Sequence, residues 1–299
     1  MTRVIISCLL WPLLLVTSIG LTQLGMASGH GVLTFNAVYL SLAVTLFFLE
    51  RALPHEGSWL RNDGQMLPDL SHTLLNKGLV QVLVVTATTM GAAEALAPEG
   101  GGLWPTSWPA AAQILLGLVL AEFGLYWAHR LSHEYPFLWR FHAVHHSVKR
   151  LWFFNTGRFH FVDTAVSILL SQPLLFLAGA PKEVFIWVSG ITAFIGILTH
   201  CNIEMRFGFL NYFFNTPRLH RWHHSMDLRE GNKNYGENLM LWDLLFGTYF
   251  DARRRPPAEI GIKDYMPESF AGQLIQPFSP REAPVGTNPL SKELSTPDV

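Results

Sequence analysis

Apolar residues along this chain fall in long unbroken blocks, not at the spacing of a surface helix or a half-buried strand. Residues 4–20 (VIISCLLWPLLLVTSIG) and 32–49 (VLTFNAVYLSLAVTLFFL) carry no charge. Each is long enough as a helix to cross most of a hydrocarbon layer about 30 Å thick. Similar blocks cover 73–95, 111–128, 161–177 and 183–199, with Pro173 kinking the fifth and Ala178–Lys182 joining the last two. The pattern predicts an all-α integral-membrane helical bundle: four spans followed by a hairpin that returns the chain to its starting side.

Between the blocks the character changes. Residues 50–71 are charged and turn-rich, a loop at the membrane surface with Trp59 as an interfacial anchor. Residues 96–110 form a Gly/Pro loop with Trp104 and Trp108 at an interface. After residue 200 the chain is polar except for Phe207–Phe214 (FGFLNYFF), which reads as an amphipathic surface segment. Residues 251–299 contain eight prolines and read as a polar, irregular or partly disordered tail. The expected organisation is therefore an N-terminal transmembrane region over 1–110, a histidine-bearing unit over 111–250, and the tail.

Composition agrees: 49% of residues are hydrophobic and 14% charged, against about 25% charged in an ordinary soluble domain. A net charge of −1 argues against a nucleic-acid partner. Cys8 and Cys201 supply neither a disulfide framework nor a cysteine metal site. Of 21 Lys and Arg, only Lys182 lies in the loops 21–31, 96–110 and 178–182. By the positive-inside rule the other loops are cytoplasmic, and all the histidine clusters share that side.

Six of the thirteen histidines lie within 122–160. His129 and His133 form an HxxxH pair; His142, His145 and His146 form an HxxHH triplet, repeated by His220, His223 and His224. On a helix, offsets of three and four bring side chains to one face. At this histidine content a random chain would contain only about 0.025 HxxHH matches, so two triplets carry weight. Neutral imidazole suits iron, zinc, copper or nickel. Eight such histidines exceed what one ion takes, which points to two metals. HExxH and the Glu-plus-ExxH di-iron pattern are absent. The hairpin brings His200 back to the level of His160 and makes both candidate ligands. Asp69, His72 and Asn76, at spacings of three and four, could also lie near the site.

These runs resemble the fatty acid hydroxylase superfamily of integral-membrane sterol desaturases, lipid hydroxylases and alkylglycerol monooxygenases. The resemblance rests on His129-Arg-Leu-Ser-His133, His142-Ala-Val-His145-His146, NTGRFH over 155–160, THCNI over 199–203 and Pro217-Arg-Leu-His220-Arg-Trp-His223-His224. Asn234-Tyr235-Gly236, Trp242-Asp243 and Phe246-Gly247-Thr248-Tyr249 extend it to about residue 250. It implies two iron ions held by His129, His133, His142, His145, His146, His220, His223 and His224. His160 and His200 match histidines that recur beside the boxes. It implies dioxygen-dependent oxidation of a C–H bond of a fatty acyl, sterol or ether lipid.

No haem, flavin or iron–sulfur motif is present, so electrons come from a separate donor protein. Glu122, Glu134, Asp163, Glu204, Asp227 and Asp243 are possible partners for imidazole N–H groups. Hydroxylation, desaturation and ether cleavage begin with the same hydrogen abstraction and are not separated by the boxes. A histidine-rich metal transporter and a non-catalytic metal scaffold are the alternatives.

Overall fold

The computed structural model describes residues 2–78, 82, 83, 86, 91 and 102–279. Among the described residues regular structure is helical, and extended pairing is limited to the isolated bridges Pro54 with Ile203, Phe214 with Leu239 and Ser225 with Ile260. Five helices are long and apolar enough to span a membrane. They are α1 (Thr2–Ala27), α2 (Gly31–Ala52), then, after a short helix α3 (Met66–Ser71), α4 (Ala110–Glu134), and, after α5 (Pro136–His146), α6 (Phe161–Ala178) and α7 (Lys182–Thr199). The expected span over 73–95 lies largely outside the described residues. Its first residues, His72–Gly78, continue α3 as a wider turn.

Close approach of backbones sets the packing. A Cβ on Gly25 would lie 2.2 Å from the Thr34 side chain, so glycine lets α1 and α2 fold back tightly on each other. A Cβ on Gly124 would lie 2.2 Å from the Leu170 carbonyl oxygen, which is why α4 and α6 can cross in contact. The α6–α7 hairpin turns at Gly179, whose φ of 77° suits a residue without Cβ; Ala180 N–H closes the turn on Leu175 O. Trp11 and Leu46 from the first hairpin share one buried core with Leu175, Phe194 and Leu198. Prolines open the two helices that carry the HxxHH runs, Pro136 in α5 and Pro217 in α8 (Pro217–His223). At that position the missing N–H costs nothing.

The chain beyond His223 is mostly irregular, with short helices α9 (Leu228–Gly231), α10 (Leu241–Phe246) and α11 (Phe270–Ile275). The expected surface segment contains a turn of 3-10 helix at Gly208–Tyr212, with Phe209, Tyr212 and Phe213 exposed. The C-terminal stretch is tied down as far as Ser279: the Gln273 side chain is fully buried and donates to Gln65 Oε1 and Pro267 O. Residues 280–299 lie outside the described part.

Candidate metal centre

Nine buried histidines collect at one end of the bundle as two adjoining groups. His129 and His133 from the last turns of α4, His142 and His146 from α5, and His223 from α8 form the first; His145, His200, His220 and His224 form the second. Within each, the ligand atoms lie within 4.8 Å of one another. Successive residues on a helix point about 100° apart, so His145 and His146 serve different groups, as do His223 and His224.

The Nε2 atoms converge. His146 Nε2 is 3.1 Å from both His133 Nε2 and His142 Nε2. His224 Nε2 is 3.2 Å from His145 Nε2 and 3.0 Å from His220 Nε2, which is 2.8 Å from His200 Nε2. Two nitrogens bound at right angles about 2.1 Å from one ion are separated by about 3.0 Å. His223 Nε2 is buried with no hydrogen-bond partner. The donor sets fit two ions of the kind imidazole binds.

The opposite ring nitrogens identify the tautomer. His129 Nδ1 donates to Tyr235 O at 2.7 Å, His133 Nδ1 to Asn232 Oδ1 at 3.1 Å, His142 Nδ1 to Asp163 Oδ2 at 2.9 Å and His223 Nδ1 to Lys233 O at 2.8 Å. In the second group His200 Nδ1 donates to Asn155 Oδ1 at 2.9 Å. Each partner is an acceptor, so each Nδ1 holds the proton and each Nε2 keeps its lone pair for a metal. Burial, reinforced by the neighbouring imidazoles, holds His145, His146, His220, His223 and His224 well below the usual histidine pKa. They are neutral at pH 7, the ligating form.

Buried charges hold the supporting segments. Arg158 pairs with Asp69 at 2.8 Å and donates to Val144 O and Ser147 Oγ, which fixes the end of α5. The Glu50 carboxylate of α2 accepts from Phe153 N at 2.8 Å and Asn202 N at 2.9 Å. Arg221, on the same helix as His220, donates to Cys201 O and Ile203 O. The first hairpin thus fixes the loop that carries His200.

Asn234 sits at φ 57° and its side chain bonds Leu219 O and Phe250 O. Asp243 accepts from Tyr235 N and Gly236 N, and so places the Tyr235 carbonyl behind His129. A Cβ on Gly236 would lie 2.3 Å from Leu239 O, so glycine is required there.

Nine of the ten histidines read from the sequence are brought together; His160 is not. It caps α6, with Nδ1 accepting from Val162 N and Nε2 donating to Leu274 O. His72 also stands outside both groups. Its Nε2 donates to Gln273 Oε1, while Asn76 Nδ2 donates to His72 Nδ1 and to Phe159 O. The Phe159 ring in turn stacks on His145 at 4.2 Å. Of the acids, only Asp163 touches a grouped histidine among these hydrogen bonds. Glu134 pairs with Arg130, Glu204 with His55, Asp227 caps α9, and Glu122 and Asp243 act on backbone. Asn155, Asn232 and the Lys233 and Tyr235 carbonyls carry no mark in the sequence that assigns them to imidazoles.

A sequence model of the fatty acid hydroxylase family matches residues 114–248. The ornithine lipid hydroxylase OlsE of Rhizobium tropici is 50% identical over 279 residues, which cover 92% of this chain and 84% of that protein. Alkylglycerol monooxygenases match over the histidine-bearing region: the human protein is 31% identical over 129 residues (43% of this chain, 28% of that protein) and that of Xenopus tropicalis 29% over 134 (45% and 30%). No solved structure matches the chain. The residues matched contain eight of the nine grouped histidines' helical boxes together with the loop bearing His200, in one order, and the chain belongs to the fatty acid hydroxylase family of membrane lipid-oxidising enzymes.

Proposed function

We propose that this protein is a dioxygen-dependent di-iron hydroxylase of a membrane lipid, and that its substrate is an ornithine lipid or a close relative with an amino-acid headgroup. The observation that carries the reading is the pair of converging, neutral Nε2 sets with no carboxylate among their ligand atoms. The substrate class rests on the 50% identity to the Rhizobium tropici protein over most of both chains.

The reaction balances as R–H + O2 + 2 e− + 2 H+ → R–OH + H2O. Bound iron would supply dioxygen activation and removal of the C–H hydrogen. The protein's own residues do the rest. Nδ1 partners orient the imidazoles, Asp163 offsets positive charge through His142, and the buried position at one end of the helical bundle limits water. The two electrons come from a separate donor protein. The charge bias of the loops favours a cytoplasmic position for the groups.

A transport site would be expected near the bilayer midplane between spans, whereas these groups lie at the ends of α4 and α7, which favours the enzyme. The test is lipid analysis of cells that make ornithine lipid and express either this protein or its His142→Ala or His145→Ala variant. A lipid heavier by one oxygen, absent with both variants, is expected, together with about two irons per purified chain. Unchanged lipids with iron present would remove the substrate assignment; absence of bound iron after anaerobic reconstitution would remove the di-iron assignment.

A further inference from the structure

The short helix α10 lies beside the middle of a membrane span, not beyond its end. Trp242 Nε1 donates to Val119 O at 3.2 Å, and the Trp242 ring meets Phe123 at 4.8 Å. Four residues later Phe246 meets Tyr126 at 5.4 Å and Trp127 at 5.3 Å. The helix therefore runs parallel to α4 over 119–127, climbing back from Val119 toward the histidine end. Val119 is ten residues before His129, about 15 Å along the axis, or half the thickness of the hydrocarbon layer. A helix in register with that stretch is inside the near leaflet.

Its side chains suit that position. In Leu241–Phe246 the only ionisable residue is Asp243, which is fully buried and faces inward to Tyr235 N, Gly236 N and Thr248 Oγ1. Leu241 (43%), Leu244 (45%), Leu245 (66%) and Phe246 (37%) are exposed, as is Leu115 (57%) on α4. Such a face on water would be an unusual apolar patch; on lipid it is ordinary.

Backbone entering lipid must find partners, and the approach to α10 finds them inside the protein. Glu122, buried on α4 seven residues before His129, accepts from Glu237 N at 2.6 Å and from Asn238 N and Nδ2. Asn215 N donates to Asn238 O, Asn215 Nδ2 to Gly236 O, and Met240 N to Phe213 O. Phe214, paired with Leu239, packs on Trp11 of α1 at 5.2 Å. A carboxylate in a spanning helix whose partners are all donors from one loop reads as that loop's anchor.

We propose that residues 237–247 form a re-entrant segment embedded in the leaflet next to the histidine groups, with α10 presenting its leucines and Phe246 to the acyl chains of the bilayer. The segment continues directly from Tyr235, whose carbonyl holds His129, so a bilayer-embedded element supports the first histidine group. The inference rests on α4 spanning the membrane and is independent of metal and substrate.

The test uses the full-length protein with Cys8→Ser, which leaves only the buried Cys201, in lipid nanodiscs. Single cysteines at Leu244, Leu245, Leu115 and Tyr265 are labelled with a nitroxide and its collisions with oxygen and with a water-soluble nickel chelate are compared. Labels at Leu244→Cys and Leu245→Cys should match the Leu115→Cys reference and meet the chelate at least about fivefold less than a label at Tyr265→Cys. Labels at 244 and 245 that meet the chelate as readily as the one at 265 would overturn the proposal. A chelate-accessible label at 115 would overturn it together with the membrane placement of α4, and neither result touches the lipid assay above.

Discussion

The two histidine groups are built differently. In the five-histidine group, four rings have an acceptor behind Nδ1, one of them the Asp163 carboxylate. In the four-histidine group only His200 has its acceptor, Asn155, while Nδ1 of His145, His220 and His224 is buried without a partner. A buried polar group without a partner costs about 1–3 kcal/mol. An orienting partner on a ligating histidine typically changes metal affinity by 10–100-fold. The difference teaches that the groups are unequal: the first is held ready by the protein, and the second depends more on the ion it receives.

The largest effect expected is from removing a ligand. His142→Ala or His223→Ala should lower metal content from about two to about one per chain and abolish lipid oxidation, and His220→Ala should do the same from the other side. Equal loss of both ions in every variant, measured by elemental analysis, would show that the groups do not load separately.

Asp163→Asn keeps an acceptor for His142 but removes the charge. It should weaken metal retention by about 10–100-fold in the first group, read as faster release to a chelator, with Asp163→Glu partly restoring it. In the unaltered protein, chelator should remove metal in two phases with the second group leaving first. Asn155→Ala should speed that first phase alone. A single phase that both variants accelerate equally would erase the contrast.

The smallest effect concerns the loop that carries His200. His55 is half-buried beside it and donates through Nδ1 to Glu204; desolvation is the main cause holding its pKa down at about 4, against 6.5 in an unfolded chain. Between those values the unfolded state binds the extra proton, so this contribution to stability is complete above pH 6.5 and is lost as pH falls toward 4. His55→Gln should flatten the pH dependence of the melting temperature over that window by about one proton. An unchanged slope would mean that His55 is not titrating there.

What could be read in advance follows from which interactions are local. HxxxH and HxxHH place rings on one helix face whatever the tertiary fold, so eight of the nine grouped histidines were legible at once. His200 was reachable because a hairpin must return its end to its start. The same argument admitted His160, and failed there because the cap on Val162 N and the bond to Leu274 O turn its ring elsewhere. Which of six acids would meet an imidazole depended on how α6 crosses α5. The anchoring of Gln273 by His72 joins residues about two hundred positions apart and had no local sign. LWDLLF, at six residues, is too short to register as a membrane element by length and composition; only its alignment with α4 reveals its depth.

Adjacent histidines that diverge into separate groups also constrain how this protein could have changed over time. Because His145 and His146 share one helix, as do His223 and His224, a one-residue insertion ahead of either pair would rotate both rings by about 100° and misdirect both groups together. Neither group can be edited by shifting α5 or α8 without disturbing the other. Loss of one group alone is open through substitution of single histidines, or through a shift of α4, which carries only His129 and His133 of the first group.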